Sequence, residues 1–103
     1  MRYEWTDHAK GERDHIADYI YGRFGERHAM KFLDDVDEAV DMIVRHPGIG
    51  TIDPLFADRP VTYRSIVVDG LSKMVYRVED DAIYIVAMWD CRREPEIQAK
   101  QVK

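Results

Sequence analysis

Residues 63–95 read YRSIVVDGLSKMVYRVEDDAIYIVAMWDCRREP, three short alternating runs separated by two turn signals. Apolar side chains recur at Ile66 and Val68, at Met74, Tyr76 and Val78, and at Ile83, Ile85 and Ala87. Period-two spacing of this kind predicts strands with one face packed and the other freer. Asp69-Gly70 supplies the first connection and Glu79-Asp80-Asp81 the second, both with turn chemistry. The stretch therefore predicts an antiparallel three-stranded meander. Such a sheet needs cover for its apolar face, and the upstream chain is expected to provide it.

Residues 26–45 supply the strongest helical pattern. Ala29, Phe32, Leu33, Val36, Ala39, Val40 and Ile43 follow three-and-four spacing, while Asp34, Asp35, Asp37, Glu38 and Asp41 take the opposite side. Arg45-His46 places bases at the C-terminal end, and Pro47-Gly48 closes the element. An earlier helix is expected to start after Thr6 as N-cap, with Asp7 in its first turn, and to run to about Phe24. Ala9, Ile16, Tyr19 and Ile20 give it an imperfect apolar stripe, and Gly25 is the expected stop. Two helices joined this tightly must lie antiparallel. Tyr3-Glu4-Trp5 reads as a short edge strand before them. Residues 47–60, with three of the four prolines, read as a loop anchored by Leu55-Phe56.

At 103 residues the chain is expected to form one domain, large enough to bury roughly 65% of its unfolded surface. Hydrophobic residues at 46% and charged residues at 34% describe a soluble globular protein, not a disordered one. No run is long enough to cross a membrane and no secretory leader is recognisable. The single Cys91 excludes an internal disulfide and fits a reducing cytoplasm. A net charge of −5 argues against a dedicated nucleic-acid binder. The charge is uneven: residues 1–58 hold 7 Lys and Arg against 13 Asp and Glu, and residues 59–103 hold 8 against 7. The sheet half can thus carry a locally basic face on an acidic protein.

Several segments taken in order carry a family resemblance. They are Ala17-Asp18-Tyr19-Ile20 with Phe24-Gly25, Ala29 and Phe32; Pro47-Gly48-Ile49-Gly50; Tyr63-Arg64-Ser65-Ile66-Val67-Val68; Lys73-Met74-Val75-Tyr76-Arg77-Val78; and Trp89-Asp90-Cys91-Arg92-Arg93-Glu94-Pro95. Together they resemble the RelE/ParE toxin superfamily of bacterial toxin–antitoxin modules, over nearly the whole chain. The resemblance implies a single α+β domain, 1–103, with an N-terminal two-helix hairpin packed on a mainly antiparallel twisted sheet in the order β-α-α-β-β-β. It implies a cytoplasmic, growth-inhibiting toxin without cofactor, metal or membrane partner, held by a cognate antitoxin encoded by the adjacent gene. The superfamily has two activities. RelE-like members cut messenger RNA on the ribosome without metal, and ParE-like members bind DNA gyrase and block religation.

Metal-free RNA cleavage needs cations for the phosphate and groups that exchange protons. Arg64, Lys73, Arg77, Arg92 and Arg93 are the candidate cations for phosphate or target binding. Lys73 and Arg77 share strand parity with Val75 between them. By resemblance, Lys73 and Arg92 take the places of two catalytic arginines of the nuclease branch, should the chain be RelE-like. The competing reading for all five cations is an ordinary charge on a solvated strand face, and it weighs more on Arg77 and Arg93 than on Lys73 and Arg92. Proton-exchanging groups are scarcer. His8, His15, His28 and His46 all lie in the helical half, and the tail carries Gln98. Tyr63, Tyr76, Tyr84 and Glu94 remain, with Tyr76 and Tyr84 expected in packing roles. His8, Glu12 and His15 have metal-like spacing but lack a fourth ligand in register. Cys91 lacks a histidine to activate it. The reading leans to the gyrase-binding branch. The ribosome-dependent nuclease, and an inactive relative that only binds its antitoxin, stand as alternatives.

Overall fold

A computed structural model describes residues 1–90 and 99–102 of the chain. The elements are β1 (Arg2–Trp5), α1 (Asp7–Phe24), α2 (Glu26–Arg45), β2 (Thr51–Ile52), a 3₁₀ turn (Pro54–Phe56), β3 (Tyr63–Val68), β4 (Ser72–Glu79) and β5 (Ala82–Asp90). They form the expected helical hairpin and one five-stranded sheet in the order β1-β5-β4-β3-β2. Only β1, parallel to β5, departs from antiparallel pairing. The strand β2 lies inside the stretch expected to be loop. Two residues carry no readable alternation, so pairing with Ser65 and Arg64 of β3 defines it.

The helix boundaries follow local chemistry. Thr6 caps α1 by accepting the Ala9 amide on its hydroxyl at 3.2 Å. Gly25 ends α1 and starts α2 at φ 93, in the left-handed region where a side chain is strained. The amphipathic α2 buries Ala29, Phe32, Val36, Ala39, Val40 and Ile43. Phe32, Val36, Ala39, Val40 and Ile43 meet Val68, Met74, Tyr76, Ile83, Ile85 and Met88 of the sheet in one core. Burial of each large side chain contributes roughly 1.5–3 kcal/mol. The first helix is less apolar: only Ala9 is fully buried, Ile16, Ala17 and Ile20 are partly packed, and Tyr19 is exposed. Its docking is helped by Glu12, whose carboxylate accepts the Met88 backbone N–H at 3.0 Å. The guanidinium of Arg13 lies 4.8 Å over the Trp5 ring.

The expected freer face of the sheet is in fact a second core. Phe56, Tyr63, Val75, Val86, Ala87 and Trp89 pack there with Ala99 and Val102. Phe56 stacks between Tyr63, at 4.6 Å between centroids, and Trp89, at 5.7 Å. The register explains why alternation misplaced Ala87. Val75 pairs with Ala87 and Tyr76 with Ile85, so Val86 is an extra residue in β5. This bulge turns Ala87 to the outer face, away from Ile83 and Ile85. Both hairpin turns hold strained positions, at Asp69 (φ 54), Gly70 (φ 83) and Asp80 (φ 53). Aspartate is among the few residues that tolerate them.

Two stability changes of opposite sign follow. Val36, 1% exposed, replaced as Val36→Asp buries an unpaired carboxylate and should cost several kcal/mol, about 3 or more. Gly11 and Gly22 sit in α1 with open space where a Cβ would project. Gly11→Ala and Gly22→Ala should each stabilise by about 0.5–1 kcal/mol. Urea unfolding followed by circular dichroism measures both. An unchanged midpoint for Val36→Asp contradicts the docking of α2 on the sheet.

Candidate functional site

Strand parity separates the expected cations. Lys73 and Arg77 project from the outer face of β4, whereas Arg64, paired with Tyr76, lies on the helix side of β3. Each has an intramolecular partner. The Lys73 ammonium sits 4.9 Å over the Trp89 ring and 2.8 Å from Asp53 Oδ2, with the Asp53 side chain only 3% exposed. The other Asp53 oxygen accepts the Leu55 N–H at 3.0 Å and caps the 3₁₀ turn. Lys73 thus tethers the loop that covers the outer face. Arg77 stacks 4.8 Å over Tyr84 and pairs with Glu79 at 3.3 Å.

Arg64 and Tyr76 hold the Pro47-Gly48-Ile49-Gly50 segment. The Tyr76 hydroxyl donates to the Pro47 carbonyl at 2.7 Å and accepts the Gly50 N–H at 2.9 Å. Arg64 Nη1 donates to the Gly50 carbonyl at 2.9 Å. A Cβ on Gly50 would lie 2.8 Å from the Tyr76 oxygen and 3.0 Å from the Ser65 carbonyl, so this position has no room for a side chain. Burial pushes the Tyr76 phenol above its usual range, against the opposing Gly50 N–H and the Arg64 charge. Sequence reading gave Tyr76 a packing role. The hydrogen bonds were foreshadowed only by a tyrosine on the buried side of β4 and a Pro-Gly-x-Gly closing the helix.

Beside these groups a cleft of about 310 Å³ opens at the β2 side of the sheet. It is lined by the aliphatic Ile52, Val61 and Val78, by Thr62 and Tyr76, and by Arg64 and Arg77. The structure therefore brings Arg64 and Arg77 to one site and places Lys73 elsewhere. The expected site residues Arg92 and Arg93, like Cys91, Glu94 and Gln98, lie outside the described residues. Among the described residues no three His, Cys, Asp or Glu side chains are grouped to hold a metal. In the His8, Glu12, His15 set, Glu12 faces His8 at 3.4 Å as well as the Met88 amide. Among the described residues no helix is long and apolar enough to cross a membrane.

Comparison with known proteins adds a family. A model of the ParE toxin of type II toxin-antitoxin systems (parDE) matches residues 3–95. Among solved structures, the chain is similar to one described as the chromosomal ParDE TA system from P. aeruginosa. The two are 23% identical, with a TM-score of 0.71 over 87% of this chain and 95% of that one. No curated protein matches the sequence.

The Tyr76 anchor has a measurable pH signature. Tyr76→Phe removes the partner of a buried amide and of a carbonyl, which should cost about 1–3 kcal/mol at neutral pH. Because the phenol titrates higher in the folded than in the unfolded chain, its contribution is intact below the ordinary tyrosine range. It is lost as the pH rises from about 10 through the folded value. Wild-type stability should fall more steeply than that of Tyr76→Phe above about pH 10, checked by urea unfolding across that range. Parallel curves would contradict the raised phenol.

Proposed function

The chain belongs to the ParE toxin family of type II toxin–antitoxin systems, and on that footing we propose that it arrests growth by binding DNA gyrase. It acts as a protein-binding inhibitor in the cytoplasm, with 1–103 as one toxin domain. The cognate antitoxin, encoded by the adjacent gene, holds it inactive. Arg64, Arg77, Arg92 and Arg93 contribute to the target-binding surface, with Lys73 supporting it from the outer face.

The observation that carries this reading is the engagement of the groups a nuclease would use. Metal-free cleavage of RNA needs a base for the 2′-hydroxyl and an acid for the leaving oxygen, and loses about 10²–10⁴-fold without either. Beside Arg64 and Arg77, the described residues offer the Tyr76 phenol. Its proton is donated to the Pro47 carbonyl and its ionisation is opposed by burial. Tyr63 is buried against Phe56, and Lys73 is closed by Asp53. These groups are suited to holding the fold, not to exchanging protons with a substrate.

Induced expression of the chain alone should arrest growth, with an SOS response and trapped gyrase–DNA breaks. Messenger RNA should stay uncut within codons. Co-expression of the adjacent small gene should restore growth. New codon-internal breaks by primer extension, without DNA damage, would overturn the gyrase assignment in favour of the ribosome and messenger RNA. Normal growth at verified soluble expression would identify an inactive relative.

A further inference from the structure

The first strand leaves one side of its backbone unpartnered. β1 lies at the edge of the sheet, and among the described residues only β5 pairs with it. The Thr6 amide donates to the Ile85 carbonyl at 3.0 Å. Backbone groups alternate in direction along an extended chain. Arg2 and Glu4 therefore also turn theirs to β5, while Tyr3 and Trp5 turn theirs to the open edge. The side chains alternate too. Tyr3 and Trp5, level with Ile83 and Ile85, lie on the helix side, and Arg2 and Glu4 lie on the outer face. Both charged residues are exposed, and neither makes an ion pair among the described residues. On the other face Met1 is 54% and Tyr3 49% exposed. Soluble proteins blunt such an edge with proline, a bulge or repelling charges. β1 has no proline and an unbroken register, and its two charges are of opposite sign.

We propose that β1 is a self-association surface whose partner is β1 of a second copy of this chain. A twofold axis through the edge pairs the two strands antiparallel. Centring the pair on Tyr3 sets it opposite Tyr3 of the partner subunit, each offering the other its free N–H and C=O. Arg2 then faces Glu4 of the partner subunit, and Glu4 faces Arg2 of the partner subunit. These are the non-hydrogen-bonded positions, where opposed side chains come closest. On the helix side Met1 comes opposite Trp5 of the partner subunit, so the exposed apolar groups cover one another. The neighbouring registers fail. A shift of two residues either way centres the pair on Arg2 or Glu4 and sets like charges face to face, which destabilises a ladder. Charge therefore selects the one register that also matches the free backbone groups. The two sheets become continuous, and the β2 edge with the Arg64 cleft stays open at each far end. A four-residue ribbon is a small interface, so association is weak and depends on concentration. The proposal is independent of gyrase as target.

Sedimentation equilibrium of the purified full chain over a range of concentrations tests this, on variants whose circular dichroism matches the parent. The wild type should associate reversibly to a dimer. Arg2→Glu leaves two acids on the strand and Glu4→Arg two bases, so each alone should raise the dimer Kd by about tenfold or more. Mixed in equal amounts, these two variants should pair with each other as tightly as wild type. The double variant R2E/E4R should regain self-association. Tyr3→Pro removes an amide aimed at the open edge and spares the ladder with β5, so it should abolish the dimer. Ile52→Glu, 62% exposed at the far edge, should leave it unchanged. A wild type that stays monomeric at every concentration overturns the proposal. So does a dimer undiminished in Arg2→Glu and Glu4→Arg, or a charge exchange that fails to restore it. A monomer whose affinity for the antitoxin falls in Tyr3→Pro overturns it too, and gives the edge to a segment of the antitoxin. A wrong gyrase assignment would leave all of these measurements unmoved.

Discussion

One extra residue in β5 lets the sheet serve two cores. A regular strand shows alternate residues to opposite faces, so a nine-residue β5 would keep one parity throughout. The bulge at Val86 shifts that parity midway. Before it, Ile83 and Ile85 face the helices; after it Met88 does, while Val86, Ala87 and Trp89 all enter the outer core. The β4–β5 pair can then be buried on both sides, which explains why β5 has seven consecutive buried or nearly buried positions after Ala82. With both faces apolar, the outer one also needs cover. The 3₁₀ turn and residues 99–102 provide it.

Cover made of irregular chain has few backbone ladders of its own, and here cations hold it. The Lys73 ammonium reaches the buried Asp53, which also caps the turn carrying Phe56. Arg59 lies over Phe56 and donates one terminal nitrogen to the Val102 carbonyl at 2.8 Å and the other to the Ala99 carbonyl at 2.9 Å. A planar guanidinium suits that double reach better than an ammonium. Arg64 performs the matching task on the helix side, at Gly50. Removing one partner of a pair as buried as Lys73–Asp53 leaves an uncompensated charge, at a cost of about 3–5 kcal/mol. Replacing Lys73 therefore tests the outer core before it tests any role in toxicity.

The elements legible in the sequence were those with a period. The run from Ala29 to Ile43 carries three-and-four spacing, and α2 occupies 26–45 as expected. The meander carries period two, and its turns fall at Asp69-Gly70 and at Asp80-Asp81. What was not legible depends on pairing between distant segments. β2 exists because Thr51 and Ile52 meet β3. The bulge exists because β4 and β5 differ by one residue, and an unbroken apolar run at 82–89 hides it. The outer core needs Phe56, Trp89 and Val102 from three separate segments. The candidate site behaved likewise: composition located the bases of the sheet half, but parity alone grouped Lys73 with Arg77. The cleft instead joins Arg77 to Arg64, across the end of the β3–β4 pair.

The allocation of charge also bears on the kind of partner the described surface favours. A surface meant for nucleic acid presents cations free to replace counterions. Here Lys73, Arg77 and Arg59 are occupied by Asp53, Glu79 and main-chain carbonyls, and the exposed side of α2 carries Asp34, Asp37, Glu38 and Asp41. At the Arg64 cleft the accessible side chains include aliphatic ones: Ile52 is 62% and Val78 37% exposed. Apolar anchors around a single guanidinium are the usual make-up of protein–protein contacts, where desolvated arginine and aliphatic or aromatic groups carry most of the affinity. The same cations that make the irregular segments rigid thereby remove themselves from phosphate binding. That trade favours recognition of a protein over recognition of RNA on this part of the chain.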